Sequence, residues 1–243
     1  MPALRIRVGT SGYNYPEWKG TFYPADLPAA KMLAYYVERF GTVEINATFY
    51  RMPTAKTLAA WAAAAPDGFT YVLKSPQKIT HFARLRDVGE PLRYFCDTAR
   101  TLGAKLGPLL FQLPPNFQKA ADRMRDLLGE LPPDLRVAFE FRHPSWFDDE
   151  VYGLLRMKNA ALCIADTDEG ATPAVATADW GYLRLRAAAY SDDDVARWLA
   201  TIRQVGVGWR EAFVFFKHDR DAPRLAEALQ GRLMERDLLE HTP

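Results

Sequence analysis

The feature that most restricts the fold of this chain is a spacing. Short runs rich in apolar, β-branched and aromatic residues recur at 6–10, 43–46, 69–74, 108–113, 136–141, 161–166, 182–186 and 212–217, each of strand length. Their midpoints lie 21 to 38 residues apart, the length of a strand followed by a helix that carries the chain back to the start of the next strand. The segments between them have helical patterning. Met32, Leu33, Tyr36, Val37 and Phe40 fall on one helical stripe. So do Val195, Trp198, Leu199, Ile202 and Val205, behind a Ser191-Asp-Asp-Asp start that supplies an N-cap and first-turn carboxylates. Helices also fit 54–65, 91–106, 119–131, 149–159 and 222–235. The segment 167–181, with Pro173 and several Gly, Thr and Ala residues, reads as a loop or broken turn rather than a crossover helix.

Eight such units in 243 residues predict an α/β fold, a single (β/α)8 TIM-type barrel over 1–243 with an incomplete crossover between strands six and seven. An open doubly wound sheet would offer fewer strands and a glycine-rich first turn. The Pro-Pro pairs at 114–115 and 132–133 mark strand ends, and no interval has room for a second domain. The formal charge is +1, so no global field draws the protein to nucleic acid or anionic lipid, and any charge-based function has to be local. Only two cysteines are present, no apolar run approaches the ~18 residues of a membrane span, and no signal-peptide pattern opens the chain. The expectation is a reduced, cytoplasmic protein without membrane attachment.

Chemistry in such barrels concentrates at the carboxyl ends of the strands. Side chains alternate along a strand, so polar residues between outward-facing apolar ones point into the barrel. Val43-Glu44-Ile45-Asn46 puts Glu44 and Asn46 on one face, Phe139-Glu140-Phe141-Arg142 repeats the pattern, and Leu183-Arg184-Leu185-Arg186 turns two guanidinium groups inward. Inward charge is costly unless it pairs or meets a ligand. Lys74, Gln112, His143, Asp166 and Lys217 stand at or just past other strand ends, with Tyr50, Arg51, His81 and Trp146 in the loops. Three acids (Glu44, Glu140, Asp166) thus face five cations (Lys74, Arg142, Arg184, Arg186, Lys217), and Arg51 adds a sixth from its loop. The pattern predicts a cationic mouth in a near-neutral protein, suited to a phosphate or carboxylate.

The chain carries Gly9-Thr-Ser-Gly-Tyr13, Tyr15-Pro-Glu-Trp18 with Phe22-Tyr-Pro24, Thr42-Val-Glu-Ile-Asn46 with Thr48-Phe-Tyr-Arg-Met-Pro53, Lys74-Ser-Pro76 with Thr80-His81, Gln112-Leu-Pro-Pro115-Asn-Phe117, and Glu140-Phe-Arg-His143-Pro-Ser-Trp146. These motifs resemble those of the domain-of-unknown-function family 72, the YecE-like proteins. The blocks follow the family's order across nearly the whole chain. The resemblance implies a TIM-type barrel and brings no reaction with it. Two departures stand out: Arg184-Leu-Arg-Ala187 replaces the family's usual Arg-Leu-His-Gly, and Phe216-Lys-His218 its usual Phe-Asn-Asn.

In this mouth Glu140 is a candidate acid or base, His143 its proton-transfer partner and Arg142 an anion clamp. The plainer reading pairs Glu140 with Arg184 or Arg142 to neutralise the interior. Lys74 serves as a Schiff-base nucleophile if desolvated, or as a charge clamp. Tyr13, Tyr15, Trp18, Phe22, Tyr23, Phe49, Tyr50 and Trp146 either stack on a sugar or base or pack as a lid. His218 is expected to point elsewhere and His241 to be solvated. Trp61 and Trp198 read as core residues on helices.

Three functions compete. The first is an acid/base enzyme for a small anionic ligand, phosphorylated or carboxylated and sugar-like, with Lys74, Arg142 and Arg186 on the anion and Glu44 and Asn46 orienting hydroxyls. No cofactor is predicted for it. The second places a divalent metal between Glu44, Glu140, Asp166 and a His, as in isomerases or nuclease-like hydrolases, although no His-x-His or His-Glu-x-x-His spacing occurs. The third is a non-catalytic nucleotide or single-stranded nucleic-acid binding module, which the overall neutrality disfavours.

Overall fold

Pairing follows the predicted runs closely. In the computed structural model, which describes residues 4–240 and side chains through 234, the strands are β1 (Arg5–Thr10), β2 (Thr42–Ile45), β3 (Thr70–Lys74), β4 (Leu106–Gln112), β5 (Val137–Glu140), β6 (Ala161–Thr167), the two-residue β7 (Gly170–Ala171), β8 (Trp180–Leu185) and β9 (Glu211–Phe216). All but β7 pair in parallel, in the order β1-β9-β8-β6-β5-β4-β3-β2. The two ends of that path, β1 and β2, meet where Ser11 bridges to Glu44 and the Gly12 amide donates to the Glu44 carbonyl at 2.7 Å. Gly9 permits the approach, because a Cβ there would lie 2.2 Å from the Thr42 carbonyl oxygen. The result is one nearly closed (β/α)8 barrel. His241 lies outside the described residues.

The helices are α1 (Met32–Val37), α2 (Ala47–Tyr50), α3 (Ala55–Ala64), α4 (Gly89–Ala99), α5 (Ala121–Glu130), α6 (Asp149–Met157), α7 (Asp192–Val205) and α8 (Ala222–Glu240). The predicted cap at Ser191 is a full capping box with Asp194. The helix expected over 91–106 instead stops at Ala99 and continues as a 3-10 segment, Arg100–Lys105, interrupted by Gly103 at φ 55° and ψ −130°. None of the described helices is long and apolar enough to cross a membrane.

The weak crossover between β6 and β8 is, as expected, not a helix. After β7 turns back antiparallel on β6, an irregular strap runs along β6, and threonines satisfy the backbone groups that a helix would have satisfied internally. Thr172 Oγ1 accepts from the Ala165 amide at 2.9 Å, while Thr177 Oγ1 accepts from the Leu162 amide and donates to the Ala160 carbonyl, both at 2.7 Å.

Alternation along the strands builds two separate cores. Outward residues such as Phe139, Phe141, Leu183 and Leu185 pack under the helices, whereas Val72, Leu110, Cys163, Tyr182, Phe213 and Phe215 fill the barrel. At the amino-terminal end Glu211 pairs with Arg7 and with Arg136 at 2.7 Å, and Arg136 lies over Trp180, 5.5 Å from its ring centre. That end is plugged, with three arginines gathered on Glu211, and the cleft beside Glu140 opens at the carboxyl ends. Cys96 and Cys163 are free, buried thiols.

Candidate functional site

The centre of the site is Arg184 on β8. Tyr182 and Arg184 share the inward face of that strand, opposite Leu183 and Leu185, so the alternation that buries the leucines aims the guanidinium across the barrel. There it forks between two carboxylates from distant strands. Its Nη2 and Nε donate to Glu44 Oε1 at 2.8 and 3.2 Å, and its Nη1 donates to Glu140 Oε2 in a short hydrogen bond. Glu44 Oε2 accepts from the Tyr182 hydroxyl at 2.6 Å, while Glu140 Oε1 accepts from Arg142 Nε at 3.0 Å and Arg186 Nη1 at 3.4 Å. Glu44, Glu140 and Arg184 are 0, 1 and 2% exposed, so this is a sealed network.

Burial alone would push both carboxyls up, but the adjacent guanidinium reverses the effect. Glu44 ends below its ordinary value, helped by the Tyr182 hydroxyl, and Glu140, with Arg142 and Arg186 adding to Arg184, is held down to about 2. Glu140 is therefore a fixed negative charge at neutral pH.

Lys74 closes β3 beside this network, where Glu140 and Glu44 offset its burial only in part. It is the one lysine in the buried class, 8% exposed; its Nζ donates to Gln112 Oε1 at 2.7 Å and sits 4.0 Å from the centre of the Phe49 ring. Among the described residues it has no carboxylate partner, and burial followed by the Arg184 charge pulls it down to about 7. His81 stands in a π-helical turn, Lys78–Phe82, edge-on to the same Phe49 ring, with Nδ1 2.9 Å from Thr80 Oγ1. Burial, then the charges of Lys74 and Arg142, depress it to about 4, so it is neutral at pH 7. Partial desolvation, then the neighbouring Arg186 and Arg184, also lower Lys217, which follows β9 and is itself exposed.

Two open volumes adjoin the network. A cleft of about 530 Å³ is walled by Glu140, Arg142, Arg186, Phe147, Thr172 and the tip of the β6–β7 hairpin, which adds Asp168 and Glu169 to the lining. On the other side of Arg186, a hollow of about 310 Å³ lies against Lys217 and His218. Arg186 Nε is buried without a hydrogen-bond partner among the described residues, as is Asn46 Nδ2. Three guanidinium groups thus confront two carboxylates before either lysine is counted, and part of their donor capacity is unused.

Not every residue expected at the mouth is there. Asp166 shares its strand face with the outward Leu162 and Ile164, so its Oδ2 accepts from Tyr190 at 2.9 Å and from Trp198 Nε1 on α7 at 3.1 Å. Trp146 is fully buried, stacked on Phe141 at 4.9 Å with Nε1 donating to the Phe117 carbonyl at 2.7 Å. His143 caps the turn that starts at Pro144, its Nδ1 accepting from the Ser145 amide at 3.2 Å, and no hydrogen bond among the described residues joins it to Glu140. Tyr50 is 74% exposed, and Arg51 is exposed without an ion pair among the described residues. Trp18, Phe22 and Tyr23 pack on one another, Trp18 and Tyr23 fully buried, as a lid. His218, expected to point elsewhere, lines the hollow beside Lys217, with Nε2 2.8 Å from the Ala188 carbonyl and Nδ1 accepting from the Asp221 amide at 3.0 Å.

Sequence reasoning passed over Tyr182, although its position two residues before Arg184 on an alternating strand is a readable signal. The metal reading needs Glu44, Glu140, Asp166 and a His to converge. Asp166 points the other way, both glutamates are held by guanidinium groups, and no group of three His, Cys, Asp or Glu among the described residues could hold a metal ion.

Comparison with known proteins agrees with the barrel. A DUF72 family protein from Thermotoga maritima MSB8 superposes with a TM-score of 0.82 at 24% identity, covering 95% of this chain and 99% of that one. One from Enterococcus faecalis V583 gives 0.77 at 18% identity, covering 96% and 99%. Over 159 residues the chain is 26% identical to the UPF0759 protein YunF of Bacillus subtilis (strain 168); the match takes in 60% of this chain and 54% of YunF, so the chain spans about half the length of that relative. Residues 7–243 match the family described as "Protein of unknown function DUF72", and the chain belongs to the DUF72 family.

Proposed function

We propose that the mouth of the barrel binds a small anionic molecule, carrying a phosphate or carboxylate, and performs acid/base chemistry on it. The observation that carries this reading is the network around Glu140, in which three guanidinium groups share two carboxylates. Arg142 and Arg186 line the open cleft, Arg186 Nε has no partner among the described residues, and Lys74 and Lys217 are crowded by like charge. An anion placed between Arg142, Arg186 and Lys217 would take up the unused hydrogen bonds and relieve the repulsion. Glu140 and Glu44 serve as fixed counter-charges that aim the guanidinium groups, and Lys74, the group of this cluster that titrates near neutrality, moves the proton. Two buried free thiols fit a reducing cytoplasmic setting.

The test is protection against thermal unfolding by inorganic phosphate or sulfate. At a hundred times its Kd an anion stabilises by about 2.7 kcal/mol, a rise of about 5–11 °C in Tm for a chain of this size. Arg186→Gln, which leaves the Arg184 fork intact, should lose most of that rise. No protection of the parent protein, or equal protection of the variant, refutes the reading.

A further inference from the structure

We propose that Lys74 is a covalent nucleophile, forming an imine with the carbonyl carbon of a small anionic aldehyde or ketone held at the barrel mouth. The proposal rests on the anion reading above and names the substrate class of the same site.

A lysine at a strand end that merely clamps charge is expected to face a carboxylate or an open anion site. Two other lysines behave in ordinary ways: Lys119 pairs with Asp148 and Glu150, and Lys105 donates to the carbonyls of Ala62 and Ala65. Lys74 has only the neutral Gln112 oxygen and the face of Phe49. The charged groups that act on it are Arg184 from β8, Arg142 and Glu140 from the end of β5, and Glu44 from β2. Both carboxylates already answer to Arg184, so neither is free to pair with the ammonium. His81, the remaining titratable neighbour, is itself repelled by Lys74. Burial without a carboxylate partner and the Arg184 and Arg142 charges favour a neutral amine with a usable lone pair, the requirement for attack on a carbonyl, and they outweigh Glu140 and Glu44, which favour the ammonium. Amine nucleophiles desolvated beside another cation are one of the recognised routes to that state.

The step balances without a further reagent. The Nζ lone pair forms a bond to the carbonyl carbon while the C=O π pair moves to oxygen. Nitrogen then gives up its two hydrogens to that oxygen, which departs as water and leaves C=N. Protonation from solvent gives the iminium, whose charge the anionic group of the ligand and Glu140 would offset. Arg142, whose charge acts on Lys74, and Arg186 line the cleft beside Glu140 and are the groups to hold that anion.

The experiment is reductive trapping with cyanoborohydride, with pyruvate and dihydroxyacetone phosphate as the carboxylate-bearing and phosphate-bearing probes. Intact mass and peptide mapping then locate the adduct. The expected result is a single adduct on Lys74 with at least one probe, forming faster than on any other lysine, slowed by inorganic phosphate and absent in both Lys74→Arg and Lys74→Met. Circular dichroism of the two variants checks that loss of labelling is not loss of fold. Labelling spread over exposed lysines with Lys74 spared overturns the proposal. If phosphate still raises the Tm in that case, the anion site survives and the covalent step alone falls. An adduct on Lys74 that phosphate does not slow overturns the joint account by removing its anion recognition.

Discussion

Replacing Glu140 with Gln tests whether the buried fork is held by charge. The side chain keeps its size and loses its negative charge among Arg184, Arg142 and Arg186, and its new amide hydrogens face guanidinium donors. The carboxyl is depressed from an ordinary 4.5 to about 2 in the folded protein, which corresponds to about 3 kcal/mol of stability at neutral pH. This agrees with the ~3–5 kcal/mol for removing one partner of a buried ion pair. For a chain of this size the Tm should fall by about 6–12 °C. The sign of the pH dependence follows from the depressed value. The contribution is complete above the unfolded value near 4.5 and is lost as the pH falls toward about 2. Urea denaturation of parent and variant at pH 7 and again near pH 3 therefore should show a large difference that shrinks in acid. A difference below about 1 kcal/mol at pH 7, or one that does not change with pH, would mean that the carboxylate does not hold the three guanidinium groups together.

Other changes separate stability from function. Lys74→Met removes a group whose charged form the fold disfavours, so the variant should be more stable than the parent at about pH 6, with the gain fading as the pH rises through about 7 toward 10.5. A loss of stability at acid pH would show that the ammonium is well compensated. Asp166→Asn weakens the acceptor for Tyr190 and Trp198 and should cost about 1–2 kcal/mol in urea denaturation while leaving phosphate protection unchanged. Lost phosphate protection in that variant would place Asp166 at the mouth after all. Gly9→Ala drives a methyl group against the Thr42 carbonyl where β1 meets β2, and should lower the Tm by several degrees as measured by calorimetry.

The barrel was legible because spacing and alternation are local properties. The eight runs, the Ser191 cap and the missing helix after β6 follow from periodicity and turn chemistry alone, and the inward aim of Glu44, Glu140 and Arg184 follows from their apolar neighbours. The fork itself was not legible. Glu44, Glu140 and Arg184 come from strands β2, β5 and β8, and their meeting depends on barrel closure and register, which no short segment encodes. Asp166 was misplaced for a correctable reason, since it was assigned by its position at a strand end although its parity matches the outward Leu162 and Ile164. His143 and Trp146 were read as site residues because they follow a catalytic-looking strand. The His143-Pro-Ser-Trp146 sequence is instead a capped 3-10 turn that drives the indole into the core against Phe141. The near-zero total charge concealed two local clusters of guanidinium groups, Arg5, Arg7 and Arg136 on Glu211 at the amino-terminal end and Arg142, Arg184 and Arg186 on Glu44 and Glu140 at the mouth.

If the proposed anion supplies the missing counter-charge for buried positive charge at this mouth, Lys74 reports its arrival directly. Its titration, followed by NMR of lysine labelled with ¹³C at the ε carbon and assigned with Lys74→Arg, should have a midpoint near 7 in the absence of anions, and phosphate should raise that midpoint. A midpoint at the ordinary 10.5 that phosphate leaves unmoved would contradict the account.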